Sequence, residues 1–573
     1  MKVVLYFSLL LLSGISFGQV DIVDVDGKGN REIESSFRIT ESPKILDSIK
    51  AAPIPAHPLL QLQCETKIQL DTIVAATVET TEKLKALYPF YAKLGMGSTI
   101  MPLGELYFNS TRSRSNFYGV HVKHLSSFGT VKDRNKTVFA PASFDQTSAE
   151  IFGKTIQNKF SLDGKIGYSN NGFHYYGIPD KNINADSIRQ RFQIINASGV
   201  IETNRGDSSR LNVKVGVNYR YFTNQKSIYD TLGNWKTREN KFDLTTKAWY
   251  NKGTESFYAN IGMRFNGYKY GVADSALSLL DTGIVNNNTI IDLNPGVHSE
   301  LLNKKLTVDV GLGLSIDINS STKTYLFPKA EVKYVLVDGL FIPYLGIRGG
   351  LKQNTFADLS KDNPYVLTQL SLKNEITSHD IYFGLKGNVS KRVGFGVNAS
   401  FSKVLNRALF VTDTLYGNLG NRFGLVYDTL NLTVIEASFA YQLNEKLKID
   451  ALGRFNSYEM MHEARAWNLP QVQFLIRGHY NLYDKFIVNL DFNMAAGRYA
   501  QVYETGTDVQ FENNQYFVSL KPIFDGNIGL EYRYNPRVSA FLQINNVAAQ
   551  RYNRWYNYPV QPIQIMGGIT ARF

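Results

Sequence analysis

The chain has 573 residues, a formal charge of +12, one cysteine and 13% aromatic residues. A single cysteine excludes a disulfide framework, and Cys64 reads as a structural or incidental thiol. The basic residues are scattered through alternating segments with no nucleic-acid-binding motif beside them, so the charge does not point to DNA or RNA.

The N-terminus reads as a secretory signal over 1–18. Lys2 supplies the positive start, VVLYFSLLLL (3–12) the apolar core, and Ser16 and Gly18 the small residues before cleavage at Gln19. The apolar core is too short to span a bilayer comfortably, and no later run has the length of a membrane helix. Residues 19–86 are polar at first, then carry Pro53, Pro55 and Pro58 close together, which forbids regular helix or central strand. This stretch is expected to be an extended periplasmic arm, suited to gain order on a periplasmic or surface lipoprotein partner.

From residue 87 to the end, strict period-2 patterning takes over. In LTVDVGLGLSIDI, Leu306, Val308, Val310, Leu312, Leu314, Ile316 and Ile318 share one face, and Asp309, Gly311, Gly313, Ser315 and Asp317 the other. LNVKVGVNYRY (211–221), VGFGVNASF (393–401) and FIVNLDFNM (486–494) repeat the design. Short polar pieces such as LNKKL, VSKRV, LNEKL, LYDKF and YNPRV join these strands through tight turns. We place the turns near residues 113, 170, 205, 252, 303, 338, 390, 444, 483 and 535. Longer connections cover 352–376, 406–430 and 498–515. The expected fold is all-β: a transmembrane antiparallel up-and-down barrel over 87–573, of about 22 strands (18–22), with short periplasmic turns and long extracellular loops.

A soluble sandwich also alternates. Three features favour the membrane. The pattern runs through the whole region without a second domain type, and closure removes the edges of so large a sheet. The apolar faces carry almost no mid-strand charge. Aromatics gather near strand ends, as at Tyr219, Tyr221, Tyr532, Tyr534, Tyr556 and Tyr558, which suits an interfacial girdle against outer-membrane lipids.

The opposite faces supply candidate lumen-lining residues: Lys214, Arg220, Arg264, Asp309, Asp317, Lys448, Asp450, Arg454, Asp491, Glu531, Arg533 and Arg572. Mixed signs of this kind either cross-link the wall or line an aqueous path. The small residues Gly311, Gly313, Gly394 and Gly396 are expected to leave interior room. His121 and His124 fall on opposite faces of their strand, and His462 lies in a loop near Glu459 and Glu463. No nucleophile elbow, zinc-protease helix or phosphate loop occurs, so neither an enzyme nor a cofactor or metal site is expected.

The last strand is the most specific signal. Ile563, Ile565, Gly567, Ile569, Ala571 and Phe573 share a face, and Phe573 ends the chain. This resembles the C-terminal assembly signal of Gram-negative outer-membrane proteins and implies recognition by the barrel-assembly machinery. RVSAFLQINNVAAQRYNRWYNYPVQPIQIMGGITARF further resembles the last two strands of TonB-dependent receptors of the Bacteroidetes type, with Asn545, Asn546 and Tyr552 in comparable places. That resemblance implies a 22-stranded uptake barrel in the outer membrane. Such receptors also carry a TonB box and a plug of about 130 residues, whereas only 19–86 precedes the barrel here, so a plugless barrel is expected. Two functions stay open: substrate passage or uptake, and a non-transporting accessory or scaffold subunit of an outer-membrane assembly, secretion or surface-protein complex.

Overall fold

The computed structural model describes residues 87–203, 211–225, 236–271, 284–319, 321–337, 339–413, 420–503, 506 and 508–573. The expected signal (1–18), the arm (19–86) and the turn near 205 lie outside the described residues.

The first strands are β1 (Phe90–Gly97), β2 (Met101–Asn109), β3 (Asn116–Ser127), β4 (Phe144–Ile156), β5 (Phe160–His174), β6 (Arg189–Thr203), β7 (Asn212–Gln225), β8 (Thr237–Lys252) and β9 (Glu255–Tyr270). Next come β10 (Ile284–Leu301), β11 (Leu306–Ile318), β12 (Thr322–Tyr334), β13 (Ile342–Lys352), β14 (Glu375–Ser390), β15 (Val393–Thr412), β16 (Phe423–Gln442), β17 (Leu447–Met460), β18 (Val472–Leu482) and β19 (Phe486–Ala496). A loop sheet holds β20 (Arg498–Val502), β21 (Gln510–Glu512) and β22 (Gln515–Leu520). β23 (Ile523–Arg533) and β24 (Val538–Asn545) return to the wall. β25 (Asn553–Trp555) and β26 (Tyr558–Pro559) form a loop ribbon, and β27 (Gln564–Arg572) ends the chain.

Twenty-two of these strands form one antiparallel sheet, and β27 pairs with both β24 and β1, which closes the ring. The closure extends to the last residue. Phe90 N donates to Phe573 O (2.9 Å) and Phe573 N to Phe90 O (3.1 Å). Their rings stack at 5.3 Å.

Burial is inverted relative to a soluble protein. On β11, Val310 is 52% and Leu312 44% exposed, while Ser315 on the other face is 3% exposed. The same outward belt runs through Ile261, Ile381, Val397, Ile435, Leu490 and Ile569. Glu239, Asp380 and Glu531 are buried on the inner face. Apolar outside, polar inside and no free sheet edge are the conditions a strand wall must meet in hydrocarbon. No helix among the described residues is long and apolar enough to cross a membrane. The chain is an outer-membrane barrel of the Gram-negative type.

Several expectations need correction. The turn placed near 170 lies at 157–159, where Gln157 N donates to Phe160 O (2.8 Å). The Asn-Asn-Gly at 170–172 looked like hairpin chemistry, yet Asn170 pairs with Thr147 on one side and Gln193 on the other. The connection expected over 406–430 is only 413–422, because β15 and β16 extend far beyond the ring; their ends bury Leu409, Phe410 and Phe423. The stretch 498–515 contributes to a small sheet, and 352–376 contains a helix. Glycines do not simply leave space. Side chains lie over some of the expected ones, with Asn294 Oδ1 3.0 Å from where a Cβ on Gly313 would sit and Ser438 Oγ 2.8 Å from one on Gly396, and the Tyr258 ring would sit 2.4 Å from a Cβ on Gly296. Its hydroxyl continues to Asp309 (2.6 Å), so a flat tyrosine bridges the bare strand.

Candidate functional site

The loop between β13 and β14, residues 353–374, folds across the ring and forms a cap. Its local sequence explains the first half. Thr355 is an extended N-cap whose Oγ1 accepts from Asp358 N (3.2 Å), and Pro364 follows soon after the helix Phe356–Asp362 ends. A helix of two turns does not hold itself together in water. Here Phe356, Ala357 and Leu359 are buried against the barrel mouth.

The wall supplies the rest of the latch. Glu239 on β8 is fully buried. It accepts from Phe356 N (2.7 Å), Ala357 N (3.0 Å) and Asn266 Nδ2 (3.0 Å). It thereby satisfies two of the amides that every helix start leaves unpaired, at the positive end of the helix dipole. Arg220 on β7 donates to Asp358 (2.6 Å) and to Thr355 Oγ1 (2.6 Å), and lies 3.8 Å from Glu239. Burial alone would raise the Asp358 carboxyl, but the charge and hydrogen bond of Arg220, with Thr355 and Lys241 behind it, hold it down to about 2. Tyr268 OH and Thr237 Oγ1 both donate to Thr368 O (2.6 and 3.0 Å).

The far side of the ring holds the other edge of the cap. Leu367 N donates to Phe423 O (2.8 Å), and Phe423 N to Tyr365 O (3.1 Å). Tyr427 OH donates to Ser371 O (2.9 Å). The last loop closes the gap between. Tyr558 stacks on Tyr365 with centroids 3.6 Å apart, and its hydroxyl donates to Asn421 O (2.6 Å). Asn421 Nδ2 donates to Tyr175 O (2.8 Å), and Tyr176 OH to Pro559 O (3.0 Å). Phe173, Tyr175, Phe192, Phe222, Tyr268, Phe356, Tyr365, Phe423 and Tyr558 thus belong to one buried apolar cluster at the mouth. Tyr558 is therefore a core residue of the cap and not part of a girdle. Its hydroxyl finds a carbonyl inside, so the ring can leave the interface. Burial pushes the phenols of Tyr365 and Tyr558 well above their ordinary range.

The residues expected to line the lumen fall mostly into separate pairs and not into one site. Lys214 meets Glu202 (2.9 Å), Asp450 meets Lys448 (3.2 Å), Asp491 meets Arg477 (3.7 Å), Arg533 meets Glu531 (3.5 Å), and Arg454 is paired with Glu436. Asp309 lies 3.3 Å from His298. Arg572 lies over the Tyr91 ring. Arg220, Arg264 and Asp317 reach the cap or its roots: Arg264 donates to Leu351 O (3.0 Å) as well as to Asp292, and Asp317 accepts from Asn374 (2.8 Å). His121 bonds Glu105 and His124 bonds Thr147, on opposite faces; His462 bonds Asp428 (2.8 Å). Among the described residues, no three His, Cys, Asp or Glu side chains converge on a point. Sequence patterning singled out none of Glu239, Thr355, Asp358 and Tyr365, and it placed Tyr558 in a girdle. Only the helix had a readable signal: Thr-x-x-Asp followed by Pro marks a capped start and a stop.

No family model matches the chain, and no curated protein does. Solved structures do. The FrpB iron transporter of Neisseria meningitidis has a TM-score of 0.64 at 11% identity, covering 86% of this chain and 82% of that one. The pyoverdine outer-membrane receptor FpvA of Pseudomonas aeruginosa gives 0.60 at 12%, covering 86% and 79%. The ferric-catecholate import receptor Fiu of E. coli K12 gives 0.59 at 11%, covering 85% and 82%. At these identities the likeness is one of fold: the wall is similar to the barrels of TonB-dependent receptors.

Proposed function

We propose that the protein is a receptor-like outer-membrane barrel, without a plug of its own, that passes a substrate only when the 353–374 cap moves. The observation that carries this reading is the latch of Glu239 and Arg220 on the N-terminus of the cap helix. A buried carboxylate and a guanidinium hold a short loop helix, and the loop's remaining bonds run to strand ends and other loops. A segment held at its edges can leave the mouth without unpairing the wall. An always-open pore does not fit a mouth filled by an apolar cluster. The import-receptor and transporter roles in the names of two similar structures agree with substrate passage. Ile565, Gly567, Ile569, Ala571 and Phe573 then serve as the assembly signal that brings the barrel through the barrel-assembly machinery. The paired lumen charges stiffen the wall.

The closed mouth also favours a second reading, a non-transporting scaffold whose arm binds a periplasmic or surface lipoprotein. Planar bilayers separate the two. The wild-type barrel should be silent, and deletion of 354–372 should give conductance steps. A cap-deleted barrel that folds and remains silent refutes gated passage and favours the scaffold, for which pull-down with and without 19–86 is the direct assay.

A further inference from the structure

Beneath the cap lies a cavity of about 150 Å³, walled by the indoles of Trp467 and Trp555 and by Arg498, Arg554, Asn468 and Asp362. Its wall carries the carboxylate of Asp362 together with several donors that have no partner. Arg554, 6% exposed, leaves Nη1 without a partner. The indole Nε1 of Trp555, 8% exposed, has none either, and neither does Nε of Arg498, 2% exposed. Three residues that line one space thus each carry a buried donor with no partner, and two of these donors belong to guanidinium groups.

The carboxylates nearby are directed to other groups, Asp362 to the fields of Lys352 and Arg407. Arg498 spends its other donors on backbone, with Nη1 on Arg554 O (2.6 Å) and Nη2 on Asn553 O (2.9 Å) and Lys521 O (3.3 Å). This fixes β25 against β20 and so places Arg554 and Trp555 at the cavity. Glu375, another lining carboxylate, is taken by Arg407 (3.1 Å). Asp525, whose field reaches Arg554, already accepts from Tyr552 OH (3.1 Å). Burial without an ion pair pulls the Arg554 guanidinium below its ordinary range. A buried charge with no partner is costly, and a guanidinium presents a planar fork that fits a carboxylate or phosphate edge to edge.

We propose that this cavity binds a small oxyanion, a carboxylate or phosphate group, held by the Arg554 guanidinium and the Trp555 indole N–H with Arg498 behind them. Asn468 Oδ1, an unpaired acceptor on the same wall, takes a hydroxyl or N–H of the ligand. The inference deepens the receptor reading by naming a substrate class, but binding is read on the isolated barrel and needs no transport. A silent cap-deleted barrel leaves it standing, and absent binding leaves the gate standing.

The test uses the full chain purified in detergent, titrated at constant ionic strength with inorganic phosphate and, separately, succinate, against chloride as control. Tryptophan emission is the readout, since two of the four tryptophans, Trp467 and Trp555, line the cavity. One or both oxyanions should saturate while chloride does not; phosphate alone assigns a phosphate site, and succinate alone a carboxylate site. Arg554→Gln should weaken binding by about tenfold or more, the loss typical of a charge-assisted pair, and should raise the thermal midpoint of the unliganded barrel. A residue that only held the fold would lower it. Trp555→Phe keeps the packing and removes the N–H, and should weaken binding severalfold; it decides the matter if Arg554→Gln fails to fold. Saturation by neither oxyanion, or unchanged affinity in the folded variants, overturns the proposal.

Discussion

Glu239→Ala tests the latch most directly. The carboxylate accepts from Phe356 N, Ala357 N and Asn266 Nδ2 inside a site with no exposure. Truncation leaves these donors without an acceptor, and a buried unpaired donor costs roughly 1–3 kcal/mol. Only the two amides belong to the cap. Water entering the space left by the side chain offsets part of their loss. The cap should therefore lose about 2–4 kcal/mol, or roughly 30- to 700-fold in its closed-to-open ratio at about 1.4 kcal/mol per tenfold. Hydrogen exchange followed by mass spectrometry reads this on peptides covering 353–374, with peptides of β11 as the internal standard. Glu239→Gln keeps an acceptor and loses the charge, so it should fall between wild type and alanine. Exchange in the cap that stays at the wild-type rate, or rises only in step with β11, would refute the latch and with it the gated reading.

The other predictions address the cap's charge, the lipid face and the closing strand. Asp358 has a folded carboxyl held down to about 2, so its contribution is present above the ordinary value near 3.9 and is lost as pH falls through about 2. Cap protection factors, corrected for intrinsic exchange, should be flat from about pH 7 to 5 and fall between about 4 and 2; loosening already between 7 and 5 would show that this ion pair is not what holds the helix. Leu312→Arg, at mid-strand on the outward face, should destabilise the barrel in vesicles by roughly 2–4 kcal/mol in urea unfolding, and a change below about 0.5 would place that face away from lipid. Phe573→Ala keeps the backbone bonds to Phe90 and removes a ring that is 61% exposed. It should cut the yield of folded barrel in cells severalfold while the refolded protein loses only the roughly 1.5–3 kcal/mol of one apolar side chain moved from water to lipid; equal yields would remove its role as an assembly signal.

The wall was legible because it is built from local rules. Alternation assigns the two faces of β11 without knowledge of any neighbour, and a turn such as LNKKL fixes the register on both sides of it. The single misplaced turn shows the limit of that logic. Asn-Asn-Gly has turn chemistry, but on β5 the register runs straight through it: Asn171 falls on the inner face with Phe173, and Asn170 on the face of Ile166 and Tyr168, where its Nδ2 reaches Asp145 (3.3 Å). A polar inner face for one asparagine and a cross-strand carboxylate for the other let turn-type residues sit within a strand, so turn signals lose weight in a barrel. The cap could not be read for a different reason. Glu239 and Phe356 are 117 positions apart, and Tyr176 reaches Pro559 across 383. No period or spacing encodes such contacts. The aromatic RYNRWYNYP stretch carried the information in ambiguous form, because a Tyr-rich loop suits a girdle as well as a core. What decides between them is whether each polar tip finds a partner inside. Tyr558 finds Asn421 O and is buried at the centre of the mouth. Trp555 is buried beside it with its N–H unpaired. The same loop thus shows both outcomes of one rule: a satisfied tip seals the barrel, and an unsatisfied one marks where a ligand's oxygen belongs.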